Sequence, residues 1–149
     1  MSWSDLRKGR YSKSQGEYLI TFKTEGNRTY FQDFKLACLF CQQIEVNEIN
    51  HQCTWLAWVL MPDHFHGLLR LDSQTDLSVV IGSLKGRSAK ILNHSRNSKG
   101  SIWQTRFYDR ALRTEDDRKN IARYIVANPL RKKLVNSVRS YPFWDSVYL

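Results

Sequence analysis

Acidic residues are scarce: 14 Asp and Glu stand against 23 Lys and Arg, a net charge of +9 over 149 residues. No acid occurs between Arg118 and Trp144, where seven basic residues fall, and none between Lys85 and Arg106. Such acid-free blocks point to a polyanionic partner. Trp103, Phe107 and Tyr108 beside these cations suit nucleic acid, since rings stack on bases while cations hold phosphates. Long apolar runs are also missing. None approaches about 18 residues, so no membrane-spanning helix is expected. The N-terminal "MSWSDLRKGRYSKSQGEY" is basic without an apolar segment and does not read as a secretory signal. Cysteine is limited to Cys38, Cys41 and Cys53. With no second CxxC, Cys38 and Cys41 give little support for structural zinc, and free thiols in a reducing cytoplasm are expected. Repeats, low-complexity tracts and linkers are absent. The 42% hydrophobic content argues against wholesale disorder, so residues 1–149 are expected to form one domain with a basic, aromatic tail from about residue 134.

What is present alternates between strand and helix patterns. "YLITFK" (18–23) is a β-prone first strand. The stripe Phe34, Ala37, Cys38, Cys41 and Ile44 predicts a helix over 33–47. "CTWLAWVLM" (53–61) has the continuous apolar character of a central strand covered on both faces. Pro62-Asp63 turns it into a partner strand over 64–71. Thr75 or Asp76 can cap a second helix bearing Leu77, Val80, Ile81, Leu84, Ser88, Ile91 and Leu92 on one side. "NHSRNSKGS" reads as a polar loop and 102–113 as an irregular fourth strand. Thr114 is expected to cap a third helix ending near Ala127, where Asn128-Pro129 stops it. The order β-α-β-β-α-β-α and the hairpin at Pro62 predict an α+β fold: a ferredoxin-like antiparallel sheet with helices on one face.

Two clusters of polar residues stand out from this frame. In "MPDHFHGLLRL", His64 and His66 are two apart in a strand and share a face, with Phe65 on the other. Either they hold something between them or they are ordinary histidines beside a turn. In the third helix, Ile121, Tyr124, Ile125 and Asn128 fall at i, i+3, i+4 and i+7 and share the side toward the sheet. Tyr124 reads equally as a core aromatic, and Asn128 as a helix-ending residue.

Taken together the two clusters resemble a known family. "MPDHFHGLLRL" is similar to the His-hydrophobic-His motif of single-tyrosine HUH nucleases. "WQTRFYDRALR" followed by "RYIVANPLRKKLV" resembles the REP-associated tyrosine transposases, and the likeness extends from "YLITFKTEGNRTYF" through "SLKGRSAKILN" to about Val135. The resemblance implies that His64, His66 and Asn128 ligate a divalent metal, Mg²⁺ or Mn²⁺, and that Tyr124 is the nucleophile. Asn128 takes a place where related transposases usually carry glutamine. The implied activity is nicking and joining of single-stranded DNA through a 5′-phosphotyrosine, on hairpins of the repetitive palindrome type. The implied enzyme is bacterial, cytoplasmic and monomeric, whereas insertion-sequence relatives are dimers that share sites. A tyrosine hydroxyl ionises near pH ~10, so the nucleophile needs activation, by the metal or by a neighbour such as Lys132. Lys85, Arg87, Lys90, Arg106, Arg110, Arg113, Arg131, Lys132 and Lys133 are expected to grip phosphates. Trp103, Phe107 and the C-terminal aromatics are candidates for stacking on bases, or else for the core. Rival readings are a hairpin-binding protein of the same fold without cleavage, a transcription-regulating module, and a metal hydrolase using the histidines with Asp63 or Asp109.

Overall fold

Alternation along the first strand sets the plan of the molecule. In the computed structural model, which describes residues 16–149, β1 (Glu17–Lys23) buries Tyr18, Ile20 and Phe22 on one side and turns Leu19 and Thr21 to the other. Residues 1–15, most of the basic stretch read as no secretory signal, lie outside the described residues. β2 (Cys53–Met61) and β3 (His64–Leu71) form the expected hairpin. With β4 (Tyr108–Ala111) and β5 (Trp144–Ser146) they make an antiparallel sheet of order β4-β1-β3-β2-β5.

Two long helices, α1 (Phe34–His51) and α2 (Leu77–Arg96), cover one face, the ferredoxin-like α+β arrangement. Beneath them Phe22, Phe40, Phe65, Leu84 and Trp103 share one buried cluster. The one-face expectation holds for these two helices only. α3 (Arg118–Val126) packs on the opposite face, burying Ala122 and Ile125 against Ala57, Val59 and Leu68. The reason lies in β2, which is apolar on both sides and needs cover on both. A bulge between Trp55 and Ala57 shifts its phase, so that Trp55 and Leu60 face α1 and α2 while Val59 and Met61 face α3. Gly67 of β3 answers the same crowding: a Cβ there would meet the Trp55 ring at 2.9 Å.

Other expectations shift in register. α1 buries Leu36, Ala37, Phe40 and Ile44, and leaves Phe34 exposed against Phe143. Its buried Asn47 donates to the Val80 carbonyl (3.0 Å) and accepts from the Trp55 indole (2.9 Å), tying both helices to β2. Asp76, not Thr75, caps α2. That helix runs through His94 to Arg96, beyond the expected loop start, because no glycine or proline stops it before Asn97 adopts the left-handed cap. Over 102–113 only β4 is a regular strand, since Trp103 leaves the strand path to enter the core. α3 begins at Arg118 with Asp117 as its cap, not at Thr114. The Arg118 guanidinium holds the carbonyls of Arg113 and Asp116, both at 2.7 Å, and closes the preceding residues into a loop. The C-terminal aromatics, offered as base-stacking candidates, instead seal the sheet: Tyr141 donates to the Leu60 carbonyl, and Trp144 lies in β5 beside β2. The three thiols are free, with Cys53 fully buried, and burial pushes Cys41 and Cys53 up to about 12. No described helix is long and apolar enough to cross a membrane.

Candidate active site on the α3 face

The strand period aims His64 and His66 at α3 and sends Phe65 into the opposite core, where its ring lies 5.0 Å from Phe22 and 5.2 Å from Phe40. His64 Nδ1 donates to Asp63 Oδ1 at 2.8 Å. A carboxylate oxygen accepts, so Nδ1 carries the proton, and in that neutral tautomer Nε2 bears the lone pair. That atom faces the Asn128 side-chain amide at 3.4 Å, across 64 residues of chain. His66 Nδ1 lies 2.6 Å from Thr21 Oγ1 on the neighbouring strand. Burial, with His64 and Arg131 adding to it, pushes the His66 pKa down to about 4, against the raising effect of a hydrogen bond to the Ile20 backbone. His66 is therefore neutral near pH 7.

Asn128 opens α4 (Asn128–Arg131), a short helix that follows α3 through Ala127, which holds near-helical angles (φ −80°, ψ −2°). The continuation buries Asn128 beside His64 while Tyr124, one turn earlier, stays 62% exposed at the rim. The four residues placed on one helical side therefore divide. Ile125 and Asn128 point inward, Ile121 is half-buried, and Tyr124 opens to solvent. Tyr124 and His66 line one cleft of about 460 Å³, together with Arg110, Asp116, Asn120 and Ile121. Arg131 stacks on the Tyr124 ring, 3.7 Å from its centroid, and donates to the Tyr124 carbonyl at 2.6 Å.

The donor set fits a divalent ion. Both imidazoles have Nδ1 engaged by an oxygen, the arrangement that orients a metal-binding histidine and leaves Nε2 for the ion. His66 is held in the neutral form that ligation requires. The Asn128 amide, with its interchangeable O and N turned, would offer an oxygen to such an ion. Among the described residues no group of three or more His, Cys, Asp or Glu is placed to hold a metal. Asp63 is committed to His64 Nδ1, which speaks against the hydrolase reading that uses it as a ligand.

The expected DNA-contacting residues separate into three groups. Lys85 is withdrawn: its ammonium donates to the carbonyls of Gln104 (2.6 Å) and Arg106 (3.2 Å), and burial lowers its pKa. Trp103 is also withdrawn. Only 6% exposed, it donates to Ser88 Oγ (2.9 Å) and packs edge-on against Phe22, which accounts for a serine in the apolar stripe of α2. Arg87 and Lys90 are exposed on the outer side of α2, and Lys132 and Lys133 are exposed just past α4, outside the cleft lining. Arg106, Arg110 and Arg113 are exposed along and beside β4, where Arg110 lies 3.6 Å from Asp116, and Arg131 belongs to the site itself. Phe107 is half-buried against the core at the edge of a groove shared with Thr21. Thr21, next to the site, escaped the sequence patterns, and Tyr108, read there only as an aromatic among cations, is placed beside the site with its side chain exposed. Both follow from the strand pairing, which no single-strand pattern reveals.

Comparison with known proteins agrees with this geometry. The family model "Transposase IS200 like" matches residues 12–128. A curated relative, the REP-associated tyrosine transposase of Escherichia coli (strain K12), is 29% identical over 140 residues, covering 90% of this chain and 78% of the relative. A solved structure of a REP-associated tyrosine transposase bound to a REP hairpin superposes with a TM-score of 0.74 at 25% identity, covering 90% of this chain and 78% of that one. A Deinococcus radiodurans crystal structure, at 22% identity and a TM-score of 0.54 over 73% of this chain and 87% of that one, shares the fold. A matched sequence spanning most of the chain, a sheet that superposes on a REP-associated relative, and a histidine pair facing a tyrosine-bearing helix together establish that the chain belongs to the IS200-like transposases.

Proposed function

We propose that the protein nicks and rejoins single-stranded DNA at REP-type hairpins, with Tyr124 as nucleophile and with Mg²⁺ or Mn²⁺ held by His64, His66 and Asn128. The observation that carries this reading is the convergence, within one chain, of His64 on Asn128 and of His66 and Tyr124 on one cleft. The relative solved with a REP hairpin supplies the substrate class.

The Tyr124 hydroxyl attacks the scissile phosphorus from the open rim of the cleft. The hydroxyl proton passes to solvent, the bond from phosphorus to the 3′ oxygen breaks, that oxygen takes a proton from solvent and departs as a 3′-OH, and the 5′ phosphate stays on the tyrosine. The covalent link keeps the ester reactive, so a later 3′-OH reverses the step and joins strands. A bound divalent ion supplies Lewis-acid charge to the phosphate oxygens. Asp63 and Thr21 orient the imidazoles, His66 stays neutral, and Arg110 and Arg131 place positive charge beside the strand. One chain supplies every group, so the acting unit in this reading is the monomer.

The test is a hairpin oligonucleotide labelled on the 3′ side of the expected cut, incubated with Mg²⁺ or Mn²⁺ and run on a denaturing gel. A covalent adduct that vanishes in Tyr124→Phe is expected. A nick that survives that substitution sinks the mechanism, and binding without any adduct supports the non-cleaving alternative.

A further inference from the structure

The strand register places Tyr108 where no strand-by-strand reading looks for it. Thr21 pairs with His66 on one side and with Tyr108 on the other. Directly paired residues of antiparallel strands point to the same face. Tyr108 therefore stands in one cross-strand row with Thr21 and His66, about 10 Å from the histidine at two strand spacings. It is 62% exposed although it sits within a regular strand. Arg110, two residues on, shares its face and lines the cleft that holds Tyr124. Arg106, two residues before, borders with Tyr108 a shallow groove of about 300 Å³ that reaches Thr21. An exposed ring between two cations, beside the cleft, has the composition of a single-strand binding path: planar surface for a base, positive charge for the phosphates on either side.

Resting on the proposed cleavage function, we infer that Tyr108 is the stacking platform for one unpaired nucleobase of the strand entering the cleft, with Arg106 and Arg110 holding the flanking phosphates. Trp103 cannot serve, because the core has taken it. The ring is the working part, so Phe and Trp replace it and small residues do not. Since β4 is an edge strand, the competing occupant of this surface is a second copy of the chain pairing along that edge.

The experiment measures binding by fluorescence anisotropy, in the Tyr124→Phe background so that no strand is cut. The probe is a hairpin oligonucleotide with single-stranded flanks, together with versions carrying one abasic site at each flank position in turn. Tyr108→Ala is expected to weaken binding about 5- to 150-fold, the range for one lost base stack, with the melting temperature unchanged. Tyr108→Phe and Tyr108→Trp should bind as the parent does. One abasic position should weaken the parent to a similar degree and have no further effect in Tyr108→Ala. Penalties that simply add at every position overturn the inference, as does an alanine variant that alters sedimentation but not DNA affinity. Those outcomes are distinct from failure of the proposed function itself, which shows as a Tyr124-containing protein that binds no hairpin or forms no adduct.

Discussion

On the α1 and α2 face of the sheet, Phe22, Phe40, Phe65 and Trp103 meet ring to ring with centroids 4.7 to 6.4 Å apart, and the polar atoms of Asn47 and Ser88 are paired. On the α3 face, β3 turns His64 and His66 toward a nine-residue helix whose tyrosine lies open to solvent. The same strand serves both: Phe65 anchors it from below while its neighbours are presented above. Dense packing on one side allows exposed polar chemistry on the other, because the strand that carries the histidines does not depend on them for its position.

Substitutions on the two faces should therefore fail in different ways. The largest effect belongs to Tyr124→Phe, which should remove the covalent adduct completely and leave the melting temperature where it was. A large drop in melting temperature would mean that the exposed ring supports the fold, and the contrast between the faces would collapse. Phe65→Ala lies between the two histidines in sequence but on the other face. It should cost about 3–5 kcal/mol of stability, the range for emptying an aromatic site in a core, as read by denaturant titration. Unchanged stability would show that the strand is held by something other than this cluster. Asp63→Ala should raise the Mn²⁺ concentration needed for half-maximal adduct formation about 10- to 100-fold, as for the loss of an outer-shell partner of a metal-binding histidine, with the fold intact by circular dichroism. An Mn²⁺ titration identical to the parent's would contradict the role given to that carboxylate. The smallest effect is expected on the far side of α2. Arg87→Ala and Lys90→Ala should each reduce the salt slope of DNA binding by about one if they touch phosphates, without slowing adduct formation at saturating DNA. A slope unaltered in both would take that surface out of the DNA path.

Much of this contrast can be read from residue patterns, and the failures are instructive. The β-prone run of β1, the continuous apolar run of β2 and the turn at Pro62-Asp63 located the first three strands, and period-two alternation alone put His64 and His66 on one face. The buried stripe of α2 was equally plain, including a serine whose purpose became clear only when Trp103 was found beside it. The start of α3 was misplaced by three residues because Thr114, Asp116 and Asp117 are all competent caps, and the choice among them belongs to Arg118 and its distant partner Glu17. β5 gave no strand signal at all, since three residues acquire strand geometry only by pairing with an edge already present. Trp103 and Tyr108 could not be sorted by composition. Both lie among cations, yet one is buried and the other exposed.

The sequence by itself determined the three long strands and the main helices, the apolar faces that bring them together and the residue types of the site, because these depend on short-range periodicity and side-chain chemistry. Only the tertiary structure decided that α3 crosses to the far face, that Asn128 approaches His64 Nε2, and that Tyr108 joins the row of Thr21 and His66. Those relations join residues up to 87 positions apart (Thr21 to Tyr108). They exist only once both sides of β2 have been covered and the sheet register is set, and no local pattern carries that information.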